Sequence, residues 1–168
     1  MRSNQLFRFL VNADSPPNKV ANGDYSVTPG VFQYTAPDDD KITYLRRMII
    51  HIRDGNAGFN ADNYGAVPTL TNGVIVGIYD AAGTLQDDLT DGTPIKSAAE
   101  WSRFAHNAVP QTLGAGSNFW SIDWDMGNEA AGTDIELRPL ESIRVTCQDD
   151  LTGLEDHTFF LNGRRLKP

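Results

Sequence analysis

Lys41-Ile42-Thr43-Tyr44-Leu45-Arg46-Arg47-Met48-Ile49-Ile50-His51-Ile52-Arg53 is the stretch that decides the fold of this chain. Successive side chains of a strand point to opposite faces. That alternation puts Ile42, Tyr44, Met48, Ile50 and Ile52 on one face and Thr43, Arg47, His51 and Arg53 on the other. Only Arg46 breaks the inward stripe. A second alternating run, Ser142 to Gln148, sets Ile143, Val145 and Cys147 against Arg144, Thr146 and Gln148, which makes Cys147 a core residue.

Working outward, the 15 glycines and nine prolines divide the chain into short runs in which β-branched and aromatic residues recur at period two. Strands are expected at 5–11, at 25–36 with a break near Pro29-Gly30, and at 74–79, 119–125, 134–138 and 157–162. Tyr79-Asp80-Ala81-Ala82-Gly83-Thr84-Leu85 has the composition of a hairpin, and Asn162-Gly163 that of a terminal turn. Thr93-Pro94 suits a helix start, and Ser97-Ala98-Ala99-Glu100 has capping-box spacing, with Trp101, Phe104 and Ala105 as an apolar face. The sum is a mainly β chain: a jelly-roll-like β-sandwich of about eight strands with one short helix at about 94–106. No repeat or linker divides it, so 1–168 reads as a single domain, with an N-terminal arm (1–22) and a basic C-terminal tail (163–168).

Charge narrows the function. With 22 acidic and 14 basic residues the formal net charge is -8, which opposes attraction to phosphate backbones, so no nucleic-acid partner is expected. The lone Cys147 cannot form an internal disulfide and points to synthesis in a reducing cytoplasm. Arg8 interrupts the apolar residues near the N-terminus, so neither a leader peptide nor a membrane span is expected.

Candidate chemistry is sparse. Asp54-Gly55-Asn56-Ala57-Gly58-Phe59-Asn60-Ala61-Asp62 alternates oxygen-bearing and small residues, as a calcium loop does, but the twelfth position from Asp54 is Gly65 rather than the required Glu. These are also the ordinary residues of turns, so no metal is assigned. Asp38-Asp39-Asp40 and Asp87-Asp88 with Asp91 read as solvated turns. Asp123 and Asp125 share a strand face, as half of a glycosidase pair would, yet Trp120, Ile122 and Trp124 point the other way and read as core. His51, His106 and His157 lie far apart in sequence, without zinc-ligand spacing. No nucleophile elbow, phosphate loop or dinucleotide fingerprint is present, so no catalytic residue and no cofactor is assigned, and the chain reads as a non-enzyme.

The run Phe32-Gln33-Tyr34-Thr35-Ala36-Pro37, the long strand Leu45 to Asp54, the segment Leu140-Glu141-Ser142-Ile143-Arg144-Val145-Thr146 with Asp149-Asp150-Leu151, and the strand Thr158 to Gly163 together resemble small structural proteins of tailed bacteriophages. The resemblance is one of layout, to jelly-roll-like capsid decoration, cement and tail-accessory proteins. It implies a virion component made in the host cytoplasm, a capsid or other virion protein as partner, and a homo-oligomer, with a trimer expected. A carbohydrate- or receptor-binding β-sandwich module of a phage tail is the alternative, and a glycoside hydrolase a third reading. Candidate partner-binding residues are Phe7, Phe9, Phe59 and Tyr64 as exposed aromatic anchors, with Arg46, Arg47, Arg164 and Arg165 as docking points for an acidic neighbour. Phe7 and Phe9 also suit an edge strand of the core.

Overall fold

The computed structural model describes residues 5–13, 17–54, 62–104, 107–112, 118–127 and 134–167. Two strands open the chain, β1 (Gln5–Phe9) and β2 (Val11–Asn12), followed by β3 (Gly30–Thr35) and the long β4 (Ile42–Asp54). A hairpin of β5 (Val74–Tyr79) and β6 (Leu85–Asp88) follows, then a 3-10 turn at Ala99–Arg103. The chain continues through β7 (Asn107–Thr112), β8 (Asn118–Asp125), β9 (Ile135–Leu137), β10 (Ser142–Cys147) and β11 (Asp156–Leu166).

These strands form two antiparallel sheets. The first has the order β1-β11-β4-β8-β7, with β9 also on β4, and the second the order β2-β3-β10-β5-β6. Setting aside β2, β7 and β9, the remaining eight strands pair as β1-β11-β4-β8 and β3-β10-β5-β6. Every connection between successive members except the β5–β6 hairpin crosses from one sheet to the other. First and last strands are thereby neighbours in one sheet, which is the double Greek-key winding of a jelly roll. The hairpin forms where its sequence places it: Gly83 takes φ +84, and the Asp80 carboxylate accepts the backbone N–H of Ala82 at 2.9 Å and of Thr84 at 2.8 Å.

Arg46, the residue that breaks the stripe in the sequence, is a β-bulge. Asn162 pairs with Arg47 and Gly163 with Leu45, so Arg46 is the extra residue of the β4–β11 register, its carbonyl accepting the Met126 N–H at 2.8 Å instead. One extra residue reverses the alternation. Met48, Ile50 and Ile52 point into the core as expected, but before the bulge the buried residues are Thr43 and Leu45, while Ile42 and Tyr44 are only partly buried. Asn162-Gly163 is therefore not a terminal turn. β11 runs on to Leu166, and Gly163 is required because a Cβ there would collide with the Tyr44 carbonyl oxygen of the bulged strand. The segment expected to be a basic tail is sheet, and so is much of the expected N-terminal arm: β1 pairs with β11 and β2 with β3.

The expected helix over 94–106 contracts to the five-residue 3-10 turn, with 105–106 outside the described residues. Its start is blocked by the sheet: Ile95 forms a bridge with Val74, both N–H groups donating at 2.9 Å, so 94–96 cannot be helical. Ser97 does not cap the turn; instead Glu100 reaches back to the Lys96 N–H at 2.7 Å. Trp101 is fully buried among the core residues, as the apolar face required.

One end of the core holds a polar chain. Trp101 Nε1–H donates to the Tyr64 hydroxyl at 3.1 Å, and that hydroxyl donates to His157 Nε2 at 2.9 Å. His157 Nδ1–H in turn donates to the Ala21 carbonyl at 2.9 Å. A single tautomer of neutral His157 satisfies every ring nitrogen. Burial pushes its pKa down to about 4 and the Tyr64 hydroxyl well above its ordinary value. The chain ties the 3-10 turn, the 62–70 loop and the segment around Ala21 to β11.

Candidate partner-binding face

Alternation along the first sheet also dictates what stands outside. Trp120, Ile122 and Trp124 of β8 are buried, so Phe119, Ser121 and Asp123 face outward. On β4 past the bulge Ile49 and His51 are the outward residues, and on β11 Phe160 lies between buried Phe159 and Leu161. Register sets Phe9, Phe160, Ile49 and Asp123 in one row across β1, β11, β4 and β8.

The rings on this row and beside it touch. Phe160 lies 4.3 Å from Phe9, 5.7 Å from Phe7 and 4.9 Å from His51, centroid to centroid, and His51 lies 4.7 Å from Phe119. Lys19 places its ammonium 5.0 Å over the Phe9 ring, a cation–π contact. Packing between rings holds the His51 pKa below its ordinary value through desolvation, with Asp156 opposing. The outer face of an antiparallel sandwich is ordinarily polar. The second sheet mixes Gln33, Thr35, Arg144 and Thr146 with Val31, Ile75 and Tyr79 on its outer face, whereas the first carries a contiguous aromatic strip in which Phe7 is 57% exposed.

The residues expected to bind a partner divide sharply. Phe7 and Phe9 join the strip, and Arg47 borders it, its guanidinium clasping both oxygens of Asp123. Arg46 and Arg164 leave the strip and converge on Asp134, at 3.7 and 3.0 Å, with Arg164 also stacked 5.5 Å from Tyr44. Arg165 bonds Asp39 at 2.5 Å, and its hydrogen bond holds that carboxyl below the usual range. The expected docking cations thus serve internal pairs. Tyr64 is not an exposed anchor at all: it is fully buried, because its hydroxyl completes the His157 chain. Phe59 lies outside the described residues, as does 55–61 of the oxygen-rich loop and His106.

His51 stands outside as its place in the alternation requires, whereas Ile49, Phe119 and Phe160 were not expected as surface groups. The signal was present in consecutive apolar residues such as Phe159-Phe160-Leu161 and Met48-Ile49-Ile50: when two alternate members go inward, the middle one stands outside.

Other chemistry is mostly committed to structure. Asp149 accepts the backbone N–H of Thr71 at 2.8 Å, Asn72 at 3.1 Å and Gly73 at 2.7 Å, fixing the entry to β5. It borders a cleft of about 490 Å³ lined also by Ser26, Pro68, Thr69, Asp150 and Thr152. Asp123 is engaged by Arg47, and Asp125 caps the Gly127 N–H at 3.2 Å. Cys147 is fully buried, and burial pushes its thiol pKa up. Among the described residues no three His, Cys, Asp or Glu side chains gather as a metal site, and no helix is long and apolar enough to cross a membrane.

Fold and surface together define a jelly-roll β-sandwich with aromatic residues on the outside of one sheet. Neither a protein-family model nor a curated protein matches the chain.

Proposed function

We propose that this chain is a non-enzymatic structural component of a virion, a decoration or cement protein that fastens to the head of a tailed phage through protein–protein contacts. The observation that carries the reading is the aromatic strip Phe7–Phe9–Phe160–His51–Phe119 on the outer face of the first sheet. Aromatic side chains fixed on a sheet offer large contact area with little conformational entropy left to lose, as binding hot spots require. An apolar patch on an outer face marks an interaction site. The resemblance of its sequence runs to phage structural proteins and the jelly-roll winding, which viral capsid domains use, support the particle as partner, although winding by itself does not fix function.

Co-sedimentation with phage particles that lack the protein tests this. Saturable uptake at a fixed number of copies per particle is the expected result, and no uptake by heads or whole particles overturns it.

A second reading, a carbohydrate- or receptor-binding module of a tail, draws on the polar cleft of Ser26, Thr69, Asp150 and Thr152. Binding of purified chain to isolated host-surface glycan, with no uptake by particles, is the outcome that would favour it.

A further inference from the structure

His51 is the titratable member of the aromatic strip. Its ring lies between that of Phe160 on β11, 4.9 Å away, and that of Phe119 on β8, 4.7 Å away. Directly across the strands stand Thr158 of β11 and Ser121 of β8, neither of them charged. Thr158 is itself buried, and the imidazole is partly buried beside it. The charged groups facing this position are mostly paired with one another. On β4, Arg53 holds Glu155 at 3.1 Å and Arg47 clasps Asp123 of β8. Asp125 of β8 lies opposite Arg47, two rows away from the ring. β11 contributes Asp156, opposite Arg53. β1 faces His51 only across Phe160, with Phe7 and Phe9, and Lys19 stands over Phe9. Asp156 favours the imidazolium, but desolvation among the rings outweighs it and holds the pKa below its ordinary value.

We propose that His51 makes attachment through the strip sensitive to acid: the neutral imidazole is buried in the contact, and its protonation releases the chain from the particle. This rests on the reading of the strip as the shell-binding face. A shell laid over Phe9, Phe160 and Phe119 removes the remaining water from the ring between them. Burying an imidazolium costs far more than burying a neutral imidazole, and the cross-strand neighbours Thr158 and Ser121 bring no charge to offset it. The bound chain therefore holds the proton less tightly than the free chain does. Attachment is at full strength above the pKa of the free chain and weakens as the pH falls through it.

Co-sedimentation with particles that lack the protein, run from pH 8 to pH 5, is the test, with circular dichroism to establish that each variant is folded across the range. Wild-type affinity is expected to fall at least about threefold between pH 7 and pH 5. His51→Phe keeps a ring and removes the titration, so its affinity, whatever its level, is expected to stay constant over that range. Asp156→Asn removes the carboxylate that favours the imidazolium, so its fall is expected to begin at a lower pH than in wild type. Wild-type uptake that is constant with pH, or the same fall in His51→Phe, overturns the proposal and leaves shell binding standing. Should His51→Phe bind no particle, the Asp156→Asn profile decides, and one that coincides with wild type overturns the proposal. Absence of uptake by wild type at every pH is the separate result that sinks the virion reading, and this inference with it.

Discussion

His157 shows how much one side chain decides. Its two ring nitrogens are used by Tyr64 and the Ala21 carbonyl, so a second proton on Nε2 would force the Tyr64 hydroxyl to accept there and to turn its own proton into the core. Its pKa is about 4 in the folded chain against an ordinary 6.5, so the unfolded chain holds the proton more tightly. Stability from this group is fully present above pH 6.5, declines as the pH falls toward 4, and is level below that; the whole change amounts to about 3 kcal/mol. His51, also lowered, adds a slope of the same sign. Urea denaturation of wild type and His157→Gln across this window is expected to show a steeper pH dependence in the wild type; equal slopes would count against a neutral buried His157. Tyr64→Phe removes the shared hydroxyl and strands Trp101 Nε1–H and His157 Nε2, with an expected loss of about 1–3 kcal/mol in the same assay at neutral pH. Neither role was legible in the sequence, since Tyr64 sits in a loop and its partners lie 37 and 93 residues away.

At the scale of elements, the β4–β11 pairing is the spine of the first sheet, and its bulge is where sequence and structure part. The stripe Met48-Ile50-Ile52 was legible because alternation needs no knowledge of partners. Thr43 and Leu45 were not, because the bulge at Arg46 is fixed by pairing with Gly163, which is remote in sequence. Asn-Gly read as a turn for its composition, yet the glycine serves a close backbone approach. Gly163→Ala is expected to cost about 1–3 kcal/mol through collision with Tyr44. Gly92→Ala, at φ +69 with nothing near its would-be Cβ, should cost about 1 kcal/mol from conformation alone. Thermal unfolding ranks the two, and a cheaper Gly163 substitution would deny that the bulge needs glycine. The 3-10 turn teaches a related lesson: local capping signals favoured a helix, and the Ile95–Val74 bridge outweighed them.

Taken whole, the molecule is a double-wound sandwich whose two outer faces differ. The winding was legible in outline from periodicity and turn residues, and the deep core largely from the same pattern, including Trp120, Trp124 and Cys147. The aromatic strip was half legible: Phe7 and Phe9 stood out, but the row they join is assembled by register across β1, β11, β4 and β8, which no local pattern reveals. Because Phe7 is 57% exposed, Phe7→Asp should change unfolding free energy by no more than about 1 kcal/mol. The same substitution, combined with Phe160→Thr, is expected to lower particle affinity at least about tenfold in the co-sedimentation assay. Loss of stability without loss of uptake would make the strip a part of the fold rather than a binding face. Electron cryo-imaging of particles saturated with the chain addresses this most directly. The account predicts the β1-β11-β4-β8 face buried against the shell, with Phe160 inside the contact; that face turned to solvent at every occupied position would contradict it.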